Sequence, residues 1–269
     1  MIVPFFLIVN DIEICFHGMA RSGNHAVIDW ISSMYPGKVD HWNNVAKCPM
    51  KLGFRRKSFL IRSHENRSIA EMSTDPLERY HDLYFGKTGN RFNVLLLRDP
   101  FNLFASRLQQ QLNQGFNPSS HGFIMGHPRY KYGAHEPEKF VGIWKEHAQE
   151  FLATTSYLKE PKVVINYNRW FLDQDYRQQI ASALELQYSD RSINRVVGRD
   201  TAGAGSSFDS FNYSGKGSEM KVLERWKKMI DNANYRSLFE DEEVWMLSEQ
   251  IFGHLPETEC LRPEGMTIS

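Results

Sequence analysis

The sequence predicts an α/β fold, with a central parallel β-sheet flanked by helices. Three observations predict it. Short apolar runs with strand character alternate with longer helix-like runs along the chain. One of the short runs, Asn93-Val94-Leu95-Leu96-Leu97-Arg98, is apolar through its middle, as in a strand covered on both faces. A loop with two spaced glycines, Gly18 to Gly23, joins the first strand-like run to the first helix-like run.

The elements follow in order. Ile12 to His17 reads as a buried strand that Gly18 ends. Ala26 to Met34 reads as a helix, with Ala26, Val27, Trp30, Ile31 and Met34 on one face, and Pro36-Gly37 stops it. Ser58 to Arg62 is a second strand and Asn93 to Arg98 a third. Asp99-Pro100 opens a helix to about Gln111, with Asp99 as N-cap and proline at the first helical position. Glu138 to Tyr157 reads as a long helix, Val163 to Ile165 as a fourth strand, and Phe171 to Leu184 as the helix after it. Glu219 to Asn232 and Glu240 to Phe252 are expected to be helices that close the fold. Two segments break the alternation, 111–136 and 198–217, and long loops inside a compact domain are commonly lids or binding loops. Residues 1–269 are expected to form one domain. Ligands of parallel sheets bind beyond the carboxyl ends of the strands, so the chemistry is sought there.

Composition narrows the function. The 269 residues carry 32 Lys+Arg against 32 Asp+Glu, a balance that argues against nucleic acid or acidic membranes as the main partner. Hydrophobic residues at 41% and charged residues at 24% exclude a wholly disordered chain. The longest apolar stretch, Met1 to Val9, is too short to span a bilayer and is interrupted by Pro4. It also lacks the flanks of a secretory signal. The three cysteines, Cys15, Cys48 and Cys260, are odd in number and far apart, which points away from disulfides and zinc and toward a reduced, cytoplasmic setting. His121, His127 and His135 share one loop at irregular spacing, and no metal site is expected. Nothing in the sequence sets the oligomeric state.

The loop Gly18-Met19-Ala20-Arg21-Ser22-Gly23-Asn24-His25 has the glycine spacing of a phosphate-binding loop between strand and helix. Backbone N–H groups and a helix N-terminus there form an anion cradle. A metal-dependent loop of this kind needs Lys and then Ser or Thr after the second glycine; here Asn24 and His25 follow, and the cation is Arg21, inside the loop. Arg98 follows an apolar strand, so its planar fork is expected at the carboxyl edge, where it can clamp a phosphate, with Ser106 two helical turns on. His64 follows the second strand and can take a proton near neutral pH; His25, at the helix start inside the anion loop, is read as a binding or structural residue.

Together these segments resemble the sulfotransferases that use 3′-phosphoadenosine 5′-phosphosulfate (PAPS). Arg21-Ser22-Gly23-Asn24 is similar to the family's 5′-phosphosulfate loop, with Asn24 where threonine is usual. Arg98-Asp99-Pro100 through Ser106 is similar to its 3′-phosphate motif, and Arg62-Ser63-His64 to the Lys-Thr-His segment whose histidine is the usual base. Tyr167 matches a tyrosine near the adenine, and Ser214-Gly215-Lys216-Gly217 with Trp226-Lys227 resembles, at looser spacing, a late loop over the 3′-phosphate. The resemblance covers residues 12 to about 228. It implies a P-loop-like sulfotransferase topology, PAPS as co-substrate without a metal, and an alcohol or amine as acceptor. It makes His64 the base, with Arg21 and Arg62 at the transferring group. Gly18, Arg21, Ser22, Gly23, Asn24, His25, Arg98, Ser106, Tyr167, Gly215, Lys216 and Gly217 then hold the nucleotide. The aromatics, histidines and basic residues of 111–136 suit a carbohydrate acceptor. Two other readings stand beside this one: a magnesium-dependent P-loop kinase, and a non-catalytic nucleotide-binding module that has no use for His64.

Overall fold

Why the chain makes a covered sheet is clearest in its first strand. In a computed structural model, which describes residues 8–45, 57–74, 87–115, 137–196 and 205–266, β1 runs over Ile8–Gly18. Successive side chains alternate between faces. Ile14 and Phe16 enter one apolar layer, while Glu13, Cys15 and His17 fall on the other side of the sheet. The first layer receives α1 (Asn24–Met34), through Val27, Trp30 and Ile31. β2 (Val39–Trp42), β3 (Lys57–Glu65) and the short α2 (Ile69–Ser73) follow. Then come β4 (Lys87–Leu97), α3 (Pro100–Asn113), α4 (Pro137–Phe151) and β5 (Lys162–Asn166). Two helices, α5 (Tyr167–Leu172) and α6 (Gln174–Ala183), return over the first layer. The second layer is built by α3, α4 and the C-terminal helices α7 (Ala233–Arg236) and α8 (Glu242–Phe252), around Phe101, Phe104, Trp144 and Phe239.

The five strands are parallel and ordered β2-β3-β1-β4-β5. β1 is therefore flanked by β3 and β4, with His17 in register with His64 and with Leu95. The chain passes from β1 to one side of the sheet and later crosses to the other. The loop after β1 thus stands at a switch point of strand order, beside the loops after β3 and β4. This is the expected central parallel sheet flanked by helices. Among the described residues, no helix is long and apolar enough to cross a membrane.

Several boundaries differ from expectation, each for a local reason. A fifth strand, β2, forms on the edge, too short and too mixed in pattern to read from sequence. Asp99 caps α3 as expected, accepting from the Asn102 N–H at 2.8 Å. The expected helix to Leu184 is two helices, because the Asp173 carboxylate accepts from the Tyr176 N–H at 3.0 Å and starts a second one. α4 ends at Phe151 rather than Tyr157, just before Ala153 turns left-handed at φ 58°. The expected helix over 219–232 is instead short 3₁₀ turns, Gly217–Glu219 and Arg225–Lys228. There the Asn102 Oδ1 accepts the Arg225 N–H at 2.8 Å, tying the backbone to α3 rather than to its own turn. Residues 116–136 and 198–204, which carry most of the expected lid and part of the expected late loop, lie outside the described residues, as do His121, His127 and His135.

Candidate functional site

The loop between β1 and α1 is held from inside. Ser22 is fully buried and its hydroxyl turns inward, to the Met19 carbonyl at 2.6 Å and the Asn24 Oδ1 at 2.7 Å. Asn24 Nδ2 donates to Glu65 at 2.7 Å and to the Met19 carbonyl at 3.1 Å, which ties the loop to the end of β3. The side chains of Ser22 and Asn24 therefore shape the loop, and what they leave for a ligand is backbone. Gly18 is required because a Cβ there would lie 2.2 Å from the Asn24 Oδ1. Gly23 is required twice over, by its φ of 98° and by the Tyr167 ring, 2.2 Å from where a Cβ would stand. Gly23 is also the N-cap of α1 and offers no side chain to the first helical N–H groups, which remain donors for an anion.

Three arginines gather around this loop. Arg98 is buried, and Nη1 donates to the Arg21 carbonyl at 3.1 Å and to the Ser106 hydroxyl at 3.3 Å, while Nη2 donates to the Val222 carbonyl. Arg225 also donates to Ser106, at 3.2 Å. Arg21, at φ 75°, sends its guanidinium to the Gly205 carbonyl at 2.9 Å. The Nε atoms of Arg98 and Arg225 are buried without a hydrogen-bond partner among the described residues. Burial holds all three cations below the ordinary arginine range, Arg21 at about 10 and Arg225 at about 9; repulsion from neighbouring arginines adds to the effect at Arg21 and Arg225, while Tyr167 and Asp99 ease it at Arg98. Glu65 eases the shift at Arg21, and Arg107 adds to it. The group is charged at neutral pH and short of negative charge. Tyr167 lies beneath it: Arg98 sits over the ring at 5.0 Å, and the ring packs on Gly23. Trp144 Nε1 donates to the Arg98 carbonyl at 3.0 Å and fixes the strand end.

On the β3 side, His64 is buried and its Nδ1 lies 3.0 Å from the Val45 carbonyl. A carbonyl only accepts, so Nδ1 carries the proton and Nε2 holds the lone pair. That Nε2 is buried and has no hydrogen-bond partner among the described residues. His17 stacks on His64 at 5.6 Å between ring centroids, and the buried His147 donates from Nε2 to the Arg67 carbonyl at 3.0 Å. Burial holds His147 down at about 4, so it is neutral. His25 lies outside this row, half-buried, with Nε2 3.2 Å from the Asn43 Oδ1.

Two expectations need correction. Arg62 does not point at the anion loop. Its Nε donates to the fully buried Glu13 at 2.8 Å, two residues further down the sheet than its own register partner Cys15. The late basic residue that reaches Ser106 is Arg225, not Lys216. Gly215 and Lys216 are exposed, with the Lys216 N–H donating to the Tyr213 carbonyl, and the buried Gly217 donates its N–H to the Asn194 carbonyl. Arg225 was hidden in a stretch that reads as an ordinary charged helix.

No family model matches the chain, and no curated protein does. Solved structures do. A sulfotransferase domain from the Synechococcus PCC 7002 olefin synthase superposes with a TM-score of 0.51 at 10% identity, over 93% of this chain and 98% of that one. The fold is that of a sulfotransferase domain. Mouse sulfotransferase SULT7A1, complexed with PAP, gives a TM-score of 0.48 at 12% identity, over 96% of this chain and 90% of that one. The sulfotransferase domain of the curacin biosynthetic pathway gives 0.49 at 12%, over 90% and 98%.

Proposed function

We propose that this protein transfers the sulfuryl group of PAPS to a hydroxyl or amine of an acceptor. The observation that carries the proposal is the convergence of Arg98 and Arg225 on the Ser106 hydroxyl, next to an anion loop whose own cation is Arg21. A nucleotide with a phosphate at each end of its ribose meets both features at once. The buried, unpartnered Nε atoms and the surplus of positive charge are what a phosphate dianion would satisfy.

In this reading the acceptor attacks sulfur in line, the bond from sulfur to the 5′-phosphate oxygen breaks, and PAP leaves with that electron pair. Arg21 and the N–H groups at the start of α1 stabilise the charge that grows on the leaving phosphate. His64 Nε2 takes the acceptor's proton, and the Val45 carbonyl holds the ring in the tautomer that can do so. Arg98, Ser106 and Arg225 hold the 3′-phosphate, with Tyr167 supporting the loop beneath them. Most of the rate would come from positioning and fixed charge. A carbohydrate acceptor is kept from the composition of 111–136.

The test is transfer from labelled PAPS to a panel of alcohols, amines and glycans, with EDTA present throughout. Labelled product is the expected result. Turnover that vanishes with EDTA and returns with magnesium, using ATP as donor, would make the protein a kinase. Nucleotide binding without transfer to any acceptor would make it a binding module.

A further inference from the structure

The turn 205–210 is fastened to the arginine group by the same donors that a phosphate would need. Ser206 and Ser210 pair backbone to backbone at 3.0 Å in both directions, closing the turn. Arg21 donates to the Gly205 carbonyl at 2.9 Å, and Arg225 Nη2 donates to the Ser206 hydroxyl at 2.8 Å. Asn113, at the end of α3, donates to the Ser207 carbonyl at 2.7 Å. At the tip, an Asp209 oxygen lies 3.5 Å from the same Arg225 nitrogen, and the Ser206 hydroxyl orients it from 3.0 Å.

Asp209 differs from the other carboxylates nearby. Asp99 gives its oxygens to Asn102, and Glu65 accepts from Asn24. Among the described residues, Asp209 is the carboxylate within ion-pair distance of Arg225, and none stands that close to Arg21 or Arg98. Arg225 is also bound to Ser106, so a phosphate shared by Arg98, Ser106 and Arg225 would come to rest beside the Asp209 oxygen. Two anions would then compete for one guanidinium.

We propose that Asp209 is a built-in counter-anion that competes with the 3′-phosphate for Arg225 and so limits how tightly the site holds its nucleotide. The proposal rests on the PAPS reading above. Its consequence is opposite to that of a positioning carboxylate: removing the charge tightens binding. A site tuned this way releases its spent nucleotide faster than the arginines alone would allow.

Calorimetric titration of PAP and AMP into wild type, Asp209→Asn and Asp209→Ser tests it. Asparagine keeps an oxygen for the Ser206 hydroxyl, so the turn is preserved. PAP should bind the asparagine variant about fivefold more tightly, the upper range for a partly exposed charge pair. Asp209→Ser should shift PAP in the same direction, and AMP, which lacks the 3′-phosphate, should not change. In an Arg225→Ala background the same substitutions should have no effect on PAP. Weaker or unchanged PAP binding in both single variants overturns the proposal and makes Asp209 a strut for Arg225. A wild type that binds PAP no better than AMP instead removes the PAPS reading itself, whatever the Asp209 variants do.

Discussion

Arg62, within β3, and Arg98, just after β4, are both buried arginines on strands that flank β1, and they have opposite partners. Arg62, in β3, meets the carboxylate of Glu13, which also accepts from Thr88 at 2.8 Å. Arg98, after β4, meets neutral oxygens: the carbonyls of Arg21 and Val222 and the hydroxyl of Ser106. A buried cation with a buried anion is complete, and its place is in the stability of the sheet. A buried cation whose hydrogen bonds go to neutral oxygens, with the Asp99 charge acting on it without a hydrogen bond, is the one proposed to face a ligand. The distinction is one of partners, and exposure alone would not reveal it.

Substitution of each arginine by methionine should separate the two. Arg62→Met takes from the buried Glu13 its buried cation, with Arg91 a partly exposed cation 3.7 Å away, so unfolding in urea should show a loss of about 3–5 kcal/mol. Arg98→Met removes a cation whose hydrogen bonds go to neutral oxygens, and its stability loss should be less than half of that. A comparable loss in both variants would erase the comparison.

The two sides of β1 should also separate kinetically. His64→Gln should lower turnover by about a hundredfold or more while PAP affinity stays within about twofold, because the proton comes from the acceptor. Normal turnover in that variant would end the assignment of His64 as base. His25→Gln, at the start of α1, should leave turnover nearly unchanged; a loss there with normal PAP binding would move the role to His25.

The histidine row and the arginine group should respond differently to acid. His147 has a pKa of about 4 in the fold, against an ordinary 6.5 when unfolded, because burial disfavours its charged form. Between those values the unfolded chain takes up a proton that the fold refuses, so stability should fall as pH drops from about 6.5 to about 4. His41, also held at about 4 by burial and by its neighbour His25, should add to the same slope. His147→Gln should flatten it in chemical denaturation across that range. The arginines stay charged throughout, so any weakening of PAP from pH 8 to pH 6 should follow the nucleotide's own phosphates, whose second ionisation lies at about pH 6, and should be the same in His147→Gln.

The smallest of these effects concerns the loop. Gly23→Ala forces a methyl into the Tyr167 ring and a side chain into left-handed backbone, and PAP binding should weaken by about tenfold in a protein that still folds. Unchanged affinity would argue that the start of α1 takes no part in nucleotide binding.

What was legible in the sequence was whatever depends on strand ends. The glycines of the loop, Arg98 with Ser106, and His64 all sit at positions that an apolar run and a turn residue mark out. What stayed hidden depends on long-range pairing. Arg225 reaches Ser106 across 119 positions of sequence, and nothing in its own neighbourhood sets it apart from Lys227 or Lys228. Arg62 looked like a site residue because Glu13, in a run that reads simply as buried strand, could not be seen as its partner. Asn24 and Ser22 looked like ligand contacts, whereas their side chains are spent on Glu65 and on the loop itself.

The central claim is that Arg98, Ser106 and Arg225 form a site for a 3′-phosphate. Calorimetric titration of PAP and of AMP, each with EDTA, into wild type and Arg98→Met tests it most directly. The wild type should prefer PAP by about 30-fold or more, the worth of a charge-assisted contact of about 2 kcal/mol, and the variant should lose that preference while still binding AMP. Equal affinity of the wild type for the two nucleotides would contradict it.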